Sequence, residues 1–112
     1  VKSDIEKGKI YFVAETETPV GCVVYDKIDD EVCQLGRLAV LPDFRMKGIG
    51  ARLVQAVEIE AKNSGLEKVD IGIIAAHTSL KQWYLKLGYA EVKKARFSQL
   101  PFEVLFMSKT LF

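Results

Sequence analysis

At 112 residues, 49% of them apolar and 28% charged, the chain has the size and balance of one globular domain around one core. A formal net charge of +1 supplies no single-signed field to attract nucleic acid or an anionic membrane. The longest apolar runs, such as Ile71 to Ala76, are far too short to cross a bilayer.

The chain opens on Val1 with no charged-then-apolar leader before Lys2, so secretion is not expected; a trimmed chain and an excerpt of a longer one both stay open. Lys9 to Lys27 reads as two β-rich segments around a turn at Thr18-Pro19, with Pro19 confined to the turn or a strand edge. Glu31 to Leu41 is a third strand, stopped by Pro42. Cys22 and Cys33 lie in these strands without CxxC spacing or a neighbouring histidine. They are expected to be reduced thiols in an intracellular, cytoplasmic protein, with no metal site. From Ile49, apolar residues recur as Leu53, Val54, Val57 and Ala61, which is helical spacing, and Gly65 follows as a C-terminal cap. Lys68 to Ala75 reads as a buried strand. Ser79-Leu80-Lys81-Gln82 matches a capping box opening a short helix, with Leu80, Trp83, Tyr84 and Leu87 on one face and Gly88 as its stop. Tyr89 to Phe97 and Phe102 to Phe112 close the chain as two strands around a turn near Pro101. The order β-β-β-α-β-α-β-β predicts a single α/β domain over residues 1–112. Its mixed (α+β) sheet has about six strands and two main helices, a parallel crossover at the centre and antiparallel pairs on the flanks.

The segment Arg45-Met46-Lys47-Gly48-Ile49-Gly50 hands an apolar strand over to the long helix. The first turn of a helix has unpaired N–H groups and the positive end of the macrodipole. Glycines there let an oxyanion approach the backbone, and Arg45 and Lys47 add charged donors, so the loop suits a diphosphate. A glycine-softened turn with solvated cations fits the same residues. No GxxxxGK[ST] pattern exists, which argues against a nucleoside-triphosphate loop. A dinucleotide fingerprint needs a third glycine where Leu53 stands, and Asp70, about twenty residues on, comes too early in its strand to be the ribose-binding acid.

The run from Leu38 to Val54 resembles the acetyl-CoA loop of the GNAT acetyltransferases, whose R/Q-x-x-G-x-G/A pattern is met by Arg45, Gly48 and Gly50 after Pro42 and Phe44. Trp83 to Val92 is similar to the family's second signature, a tyrosine ahead of a Lys-x-Gly-aromatic helix end, here Tyr84 and Lys86 to Tyr89. One helix and one strand separate the two signatures, as in the family. The resemblance covers about Lys9 to Phe112 and implies the GNAT acyl-CoA N-acyltransferase fold.

It further implies that the pantetheine arm of acetyl-CoA lies along Leu38, Ala39 and Val40, side chains that by themselves say only core. The diphosphate would meet N–H groups from Met46 to Ala51, through Lys47, Gly48, Ile49 and Gly50, with Arg45 beside them. Tyr84 matches the tyrosine that protonates the departing CoA thiolate, although its place on the apolar stripe fits core packing as well. His77 stands where the family often has asparagine. It is read as a cofactor contact, as a loop histidine, or, least favoured, as a base. Lys86 is a phosphate contact by resemblance and a solvated lysine by default. Glu15, at a strand end, is the weak candidate for the base that must deprotonate an ammonium of pKa about 10.4. Asp30 and Glu31 read as solvated turn residues, and Cys22 as small apolar packing rather than an acyl carrier.

The family opens with a strand and one or two helices ahead of the segment matched to Lys9. Here Val1 to Gly8 are expected to be the end of the last of those helices, leaving the acceptor half of the site incomplete and an apolar sheet face or edge that favours a homodimer. The implied activity is transfer of an acetyl group from acetyl-CoA to a primary amine of a small molecule, protein or peptide. Its alternative is a non-catalytic acyl-CoA-binding module.

Overall fold

The computed structural model describes residues 2–6, 9–15, 17–45 and 47–112. Seven strands form one sheet: β1 (Lys2–Glu6), β2 (Lys9–Glu15), β3 (Pro19–Lys27), β4 (Val32–Val40), β5 (Lys68–Ile74), β6 (Ala90–Arg96) and β7 (Glu103–Thr110). A 3-10 turn at Pro42–Phe44 follows β4, α1 spans Ile49–Asn63, and α2 spans Thr78–Lys86. The strand order is β1-β2-β3-β4-β5-β7-β6. Every pair is antiparallel except β4 with β5, the crossover through α1. The expected mixed sheet and two helices are present.

Two expectations are corrected here. Lys2–Glu6 is not a helix end but an antiparallel edge strand, pairing Lys2 with Val13 through Glu6 with Lys9. The second helix is capped by His77 and not Ser79, which lies inside its first turn. Elsewhere the turn chemistry holds. Pro19 begins β3, and Gly65 and Gly88 follow the two helices with φ of 78° and 101°, values a Cβ makes costly.

Leu53, Val54, Val57 and Ala61 bury one stripe of α1 against the sheet. Because strand side chains alternate, the same face takes Val23, Tyr25, Leu35, Val69, Ile71, Leu105 and Met107, and α2 adds Tyr84 to this single core. Both helices therefore cover one face. On the other, Val24 and Val104 are buried outside that core.

One irregularity prepares the site. Val24 pairs with Gly36 and Cys22 with Ala39, so two steps along β3 match three along β4. The extra residue is a bulge marked by Arg37, the one non-glycine of positive φ (52°) among the described residues. Arg37 Nη1 donates to Tyr11 Oη at 3.0 Å, and the Cys22 thiol donates to the Arg37 carbonyl at 3.7 Å. A bulge adds twist, and β4 pairs with β5 only from Val32/Lys68 to Gln34/Asp70. Beyond that point β4 stays with β3 and β5 with β7, so the carboxyl ends of the two central strands part.

Candidate functional site

A cleft of about 520 Å³ opens where those strand ends separate. Leu38, Ala39 and Val40 of β4 line it, as do Phe44 and Arg45 of the loop and Gly48, Gly50 and Ala51 at the start of α1. His77, Leu80 and Trp83 close the side belonging to α2.

The start of α1 is bare. Its N-cap, Gly48, is left-handed (φ 79°), no side chain caps the helix, and the first turn carries no acidic residue. Three consecutive N–H groups thus meet solvent at the positive end of a fifteen-residue helix. The two glycines serve different physical needs. A Cβ on Gly48 would touch nothing within 4 Å, so its glycine is required by backbone conformation. A Cβ on Gly50 would come within 3.2 Å of Trp83 Cζ2, so that glycine admits the indole. Arg45 Nε donates to the Val40 carbonyl at 3.0 Å, which ties loop to strand and leaves the terminal guanidinium nitrogens to reach an anion. Lys47 Nζ stands 5.5 Å from the centre of the Phe44 ring.

The start of α2 is closed instead. His77 Nδ1 accepts the Leu80 N–H at 3.2 Å and lies 3.3 Å from Ser79 Oγ. With Nδ1 accepting, the ring proton sits on Nε2, so His77 can donate to a ligand but cannot serve as a base without surrendering its cap.

Tyr84 lies one residue past Trp83 and is 4% exposed. Its ring meets Trp83 edge-on at 5.0 Å and Tyr89 edge-on at 5.4 Å. Burial pushes its phenol up to about 12, so the hydroxyl keeps its proton at neutral pH. Tyr89 Oη donates to Glu58 Oε2 at 3.0 Å, and Lys109 Nζ donates to Glu58 Oε1 at 3.2 Å. Burial first, then the Glu58 charge, drives the Tyr89 phenol upward.

Eight of the expected site residues therefore meet at one cleft: Leu38, Ala39, Val40, Arg45, Gly48, Gly50, Ala51 and His77. Met46 lies outside the described residues. Lys47, Ile49, Tyr84 and Lys86 do not line the cleft; Ile49 packs toward the core, Lys86 is exposed and Tyr84 stands behind Trp83. Leu80 and Trp83 read in sequence only as an apolar stripe, because the spacing that marks a helix face does not say what the face meets. Glu15 pairs with Pro19 across a bulge and lines no part of the cleft. Asp30 pairs with Lys27 at 3.7 Å in the β3–β4 turn, remote from it. Cys22 lines a second cavity of about 540 Å³, which shares Ala39, Val40 and Arg45 with the first. Cys33 is buried, and that burial raises its thiol to about 12.

Residues 2–89 match the sequence profile of the Acetyltransferase (GNAT) family. The chain belongs to the GNAT family. Across 100 residues, 88% of its length, it is 31% identical to an uncharacterised N-acetyltransferase of Chlorobaculum tepidum. It spans about 61% of that relative's length. Among solved structures it superposes on a GNAT acetyltransferase of Elizabethkingia anophelis with acetyl-CoA bound, at a TM-score of 0.80 and 20% identity, covering 92% of this chain and 76% of that one. An aminoglycoside 6'-N-acetyltransferase complexed with coenzyme A gives a TM-score of 0.79 at 22% identity, covering 95% and 74%. These likenesses establish the GNAT fold.

Proposed function

We propose that the chain is an acetyl-CoA-dependent N-acetyltransferase acting on a primary amine of a small molecule, protein or peptide. The observation that carries this reading is the uncapped start of α1 opening onto the cleft between β4 and α2, in a chain of the GNAT family. The residues present fit a CoA diphosphate: free N–H groups, an open glycine backbone, guanidinium nitrogens within reach and no carboxylate in the first turn.

Acetyl-CoA supplies the activated thioester and the thiolate leaving group. The N–H groups from Lys47 through Ala51, with the Arg45 and Lys47 side chains, would hold the diphosphate. The β4 backbone from Leu38 to Val40, freed from β5 by the splay, is available to align the arm as an added strand would. Tyr84, kept protonated by burial, donates to the leaving sulfur once its hydroxyl is reached. The Nε2–H of His77 would contact the arm, and the exposed Lys86 would reach a phosphate from outside the cleft. None of the lining groups is a carboxylate, so the incoming amine has to lose its proton to water or to a group beyond this cleft. Free thiols accord with an intracellular setting. An apolar sheet face or edge would favour a homodimer, which analytical ultracentrifugation would test.

The deciding experiment pairs calorimetric titration of coenzyme A with a thiol-release assay on acetyl-CoA and an amine panel. Micromolar binding with acceptor-dependent thiol release is the expected result. Binding without release from any amine would leave an acyl-CoA-binding module, and tighter binding of NAD than of coenzyme A would overturn both.

A further inference from the structure

We propose that Trp83 is a positioning residue that transmits the occupancy of the α1 N-terminus to Tyr84. The inference rests on the CoA-binding reading above for the identity of the ligand, and on geometry for the coupling.

The three residues form a short chain of contacts. The space beside Gly50, where any other residue would place a Cβ, lies 3.2 Å from Trp83 Cζ2 and 3.4 Å from Cη2. The indole therefore rests against the very turn whose N–H groups face the cleft, and it lines that cleft itself. Its ring also meets the Tyr84 ring edge-on at 5.0 Å. The far side of Tyr84 is held differently. Tyr89 supports it at 5.4 Å and is anchored by its hydrogen bond to Glu58 at 3.0 Å, itself paired with Lys109 at 3.2 Å. One flank of Tyr84 is thus pinned through a charged network to the middle of α1. The other flank depends on a half-buried indole whose N–H has no hydrogen-bond partner among the described residues. Packing alone sets the Trp83 rotamer. A ligand arriving over Gly50 meets that ring before it meets Tyr84, and whatever displaces the indole relieves or tightens the contact on the phenol.

The chain has a single tryptophan, so its emission reports this ring and no other. Coenzyme A titrated into the full chain is expected to change that emission along the same isotherm that calorimetry follows. Gly50→Ala sets a methyl against Cζ2. The variant should shift the emission of the free protein and lower kcat about tenfold with the best acceptor. Trp83→Phe removes the outer ring. In the Gly50→Ala background it should return kcat to within about threefold of Trp83→Phe alone, a non-additive cycle that general destabilisation does not produce. Trp83→Phe with Gly50 intact keeps the comparison available if the Gly50→Ala chain melts early. Additive losses in the cycle, an unchanged emission and kcat in Gly50→Ala, or emission blind to bound coenzyme A would each overturn the role of Trp83. Those outcomes leave the acetyltransferase reading standing. If the unaltered chain fails to bind coenzyme A at all, the acetyltransferase reading falls, while the Gly50→Ala emission shift still decides the Gly50–Trp83 contact.

Discussion

The two helices that border the cleft begin in opposite ways. α1 starts on a left-handed glycine, with no side-chain cap and no acid in its first turn. α2 starts on His77, whose own ring takes up an N–H three residues ahead. Capping costs nothing in sequence space, since serine, threonine, asparagine or aspartate would serve and typically contribute about 1 kcal/mol. A long helix that leaves its donors unpaired at the mouth of a cleft is open to an external acceptor, the role proposed for it above. The closed helix has the complementary role of holding its apolar stripe against the core and keeping Tyr84 dry.

That contrast can be tested from its largest consequence downward. Closure of the core beneath both helices should be visible in alkali. Burial raises both Cys33 and Tyr84 to about 12, from 9.0 and 10.0. Each favours its neutral form in the fold, so its contribution is whole below the unfolded pKa and fades as pH climbs from about 9 toward 12. Urea melts across that window should show a loss on the order of 3 kcal/mol for each group. A Cys33→Ala chain should lose less over the same range, and equal slopes would contradict the burial argument.

Making the α1 start resemble an occupied site is the next test. Gly48→Asp places a carboxylate at the positive end of the helix, where it competes with a diphosphate. Coenzyme A affinity should drop about a hundredfold by calorimetry, while the left-handed φ of 79° costs the aspartate about 1 kcal/mol and lowers the melting temperature by roughly 4–8 °C. Unaltered affinity would mean that the phosphates bind elsewhere.

Tyr84→Phe sharpens the division of labour between the two helices. Thiol release should slow by roughly 10- to 100-fold while coenzyme A affinity stays within about twofold. Matching losses in both would make Tyr84 a packing residue. Since its phenol stays protonated to about 12, the rate of the unaltered chain should rise with pH as the amine acceptor deprotonates, with no decline from Tyr84 below that value.

The smallest effect is expected from opening α2. His77→Ala removes its cap and should cost about 1 kcal/mol. The melting temperature would then fall by roughly 4–8 °C. His77→Asn, which restores an acceptor at the N-cap, should recover most of that loss.

Much of this arrangement was legible in the chain itself. The 3.6-residue spacing of Leu53, Val54, Val57 and Ala61 marks α1, alternation marks the strands, and Gly65 and Gly88 mark the helix ends. Gly48, by contrast, reads in sequence only as room for an oxyanion, and its positive φ emerged from the fold. The loop signature and Tyr84 point to the family before any coordinates. Other features had no local signal. Lys2–Glu6 becomes a strand because β2 offers it an unpaired edge. Ser79 satisfies a capping pattern, yet His77 takes the cap because the chain turns two residues earlier, with His77 N–H donating to the Ile74 carbonyl at 3.0 Å.

What the residues determined alone is whatever depends on near neighbours: helix and strand periodicity, turn glycines, and a bare helix entrance flanked by cations. What only the tertiary structure decided depends on partners far apart along the chain. The β4 bulge and the parting of β4 from β5 follow from which strands pair and in what register. The fit of Trp83 into the space beside Gly50 exists only once α2 docks on α1, thirty-three positions away in sequence (83 less 50). Short-range sterics and hydrogen bonds fix dihedrals residue by residue, whereas a cleft is a property of surfaces brought together by burial.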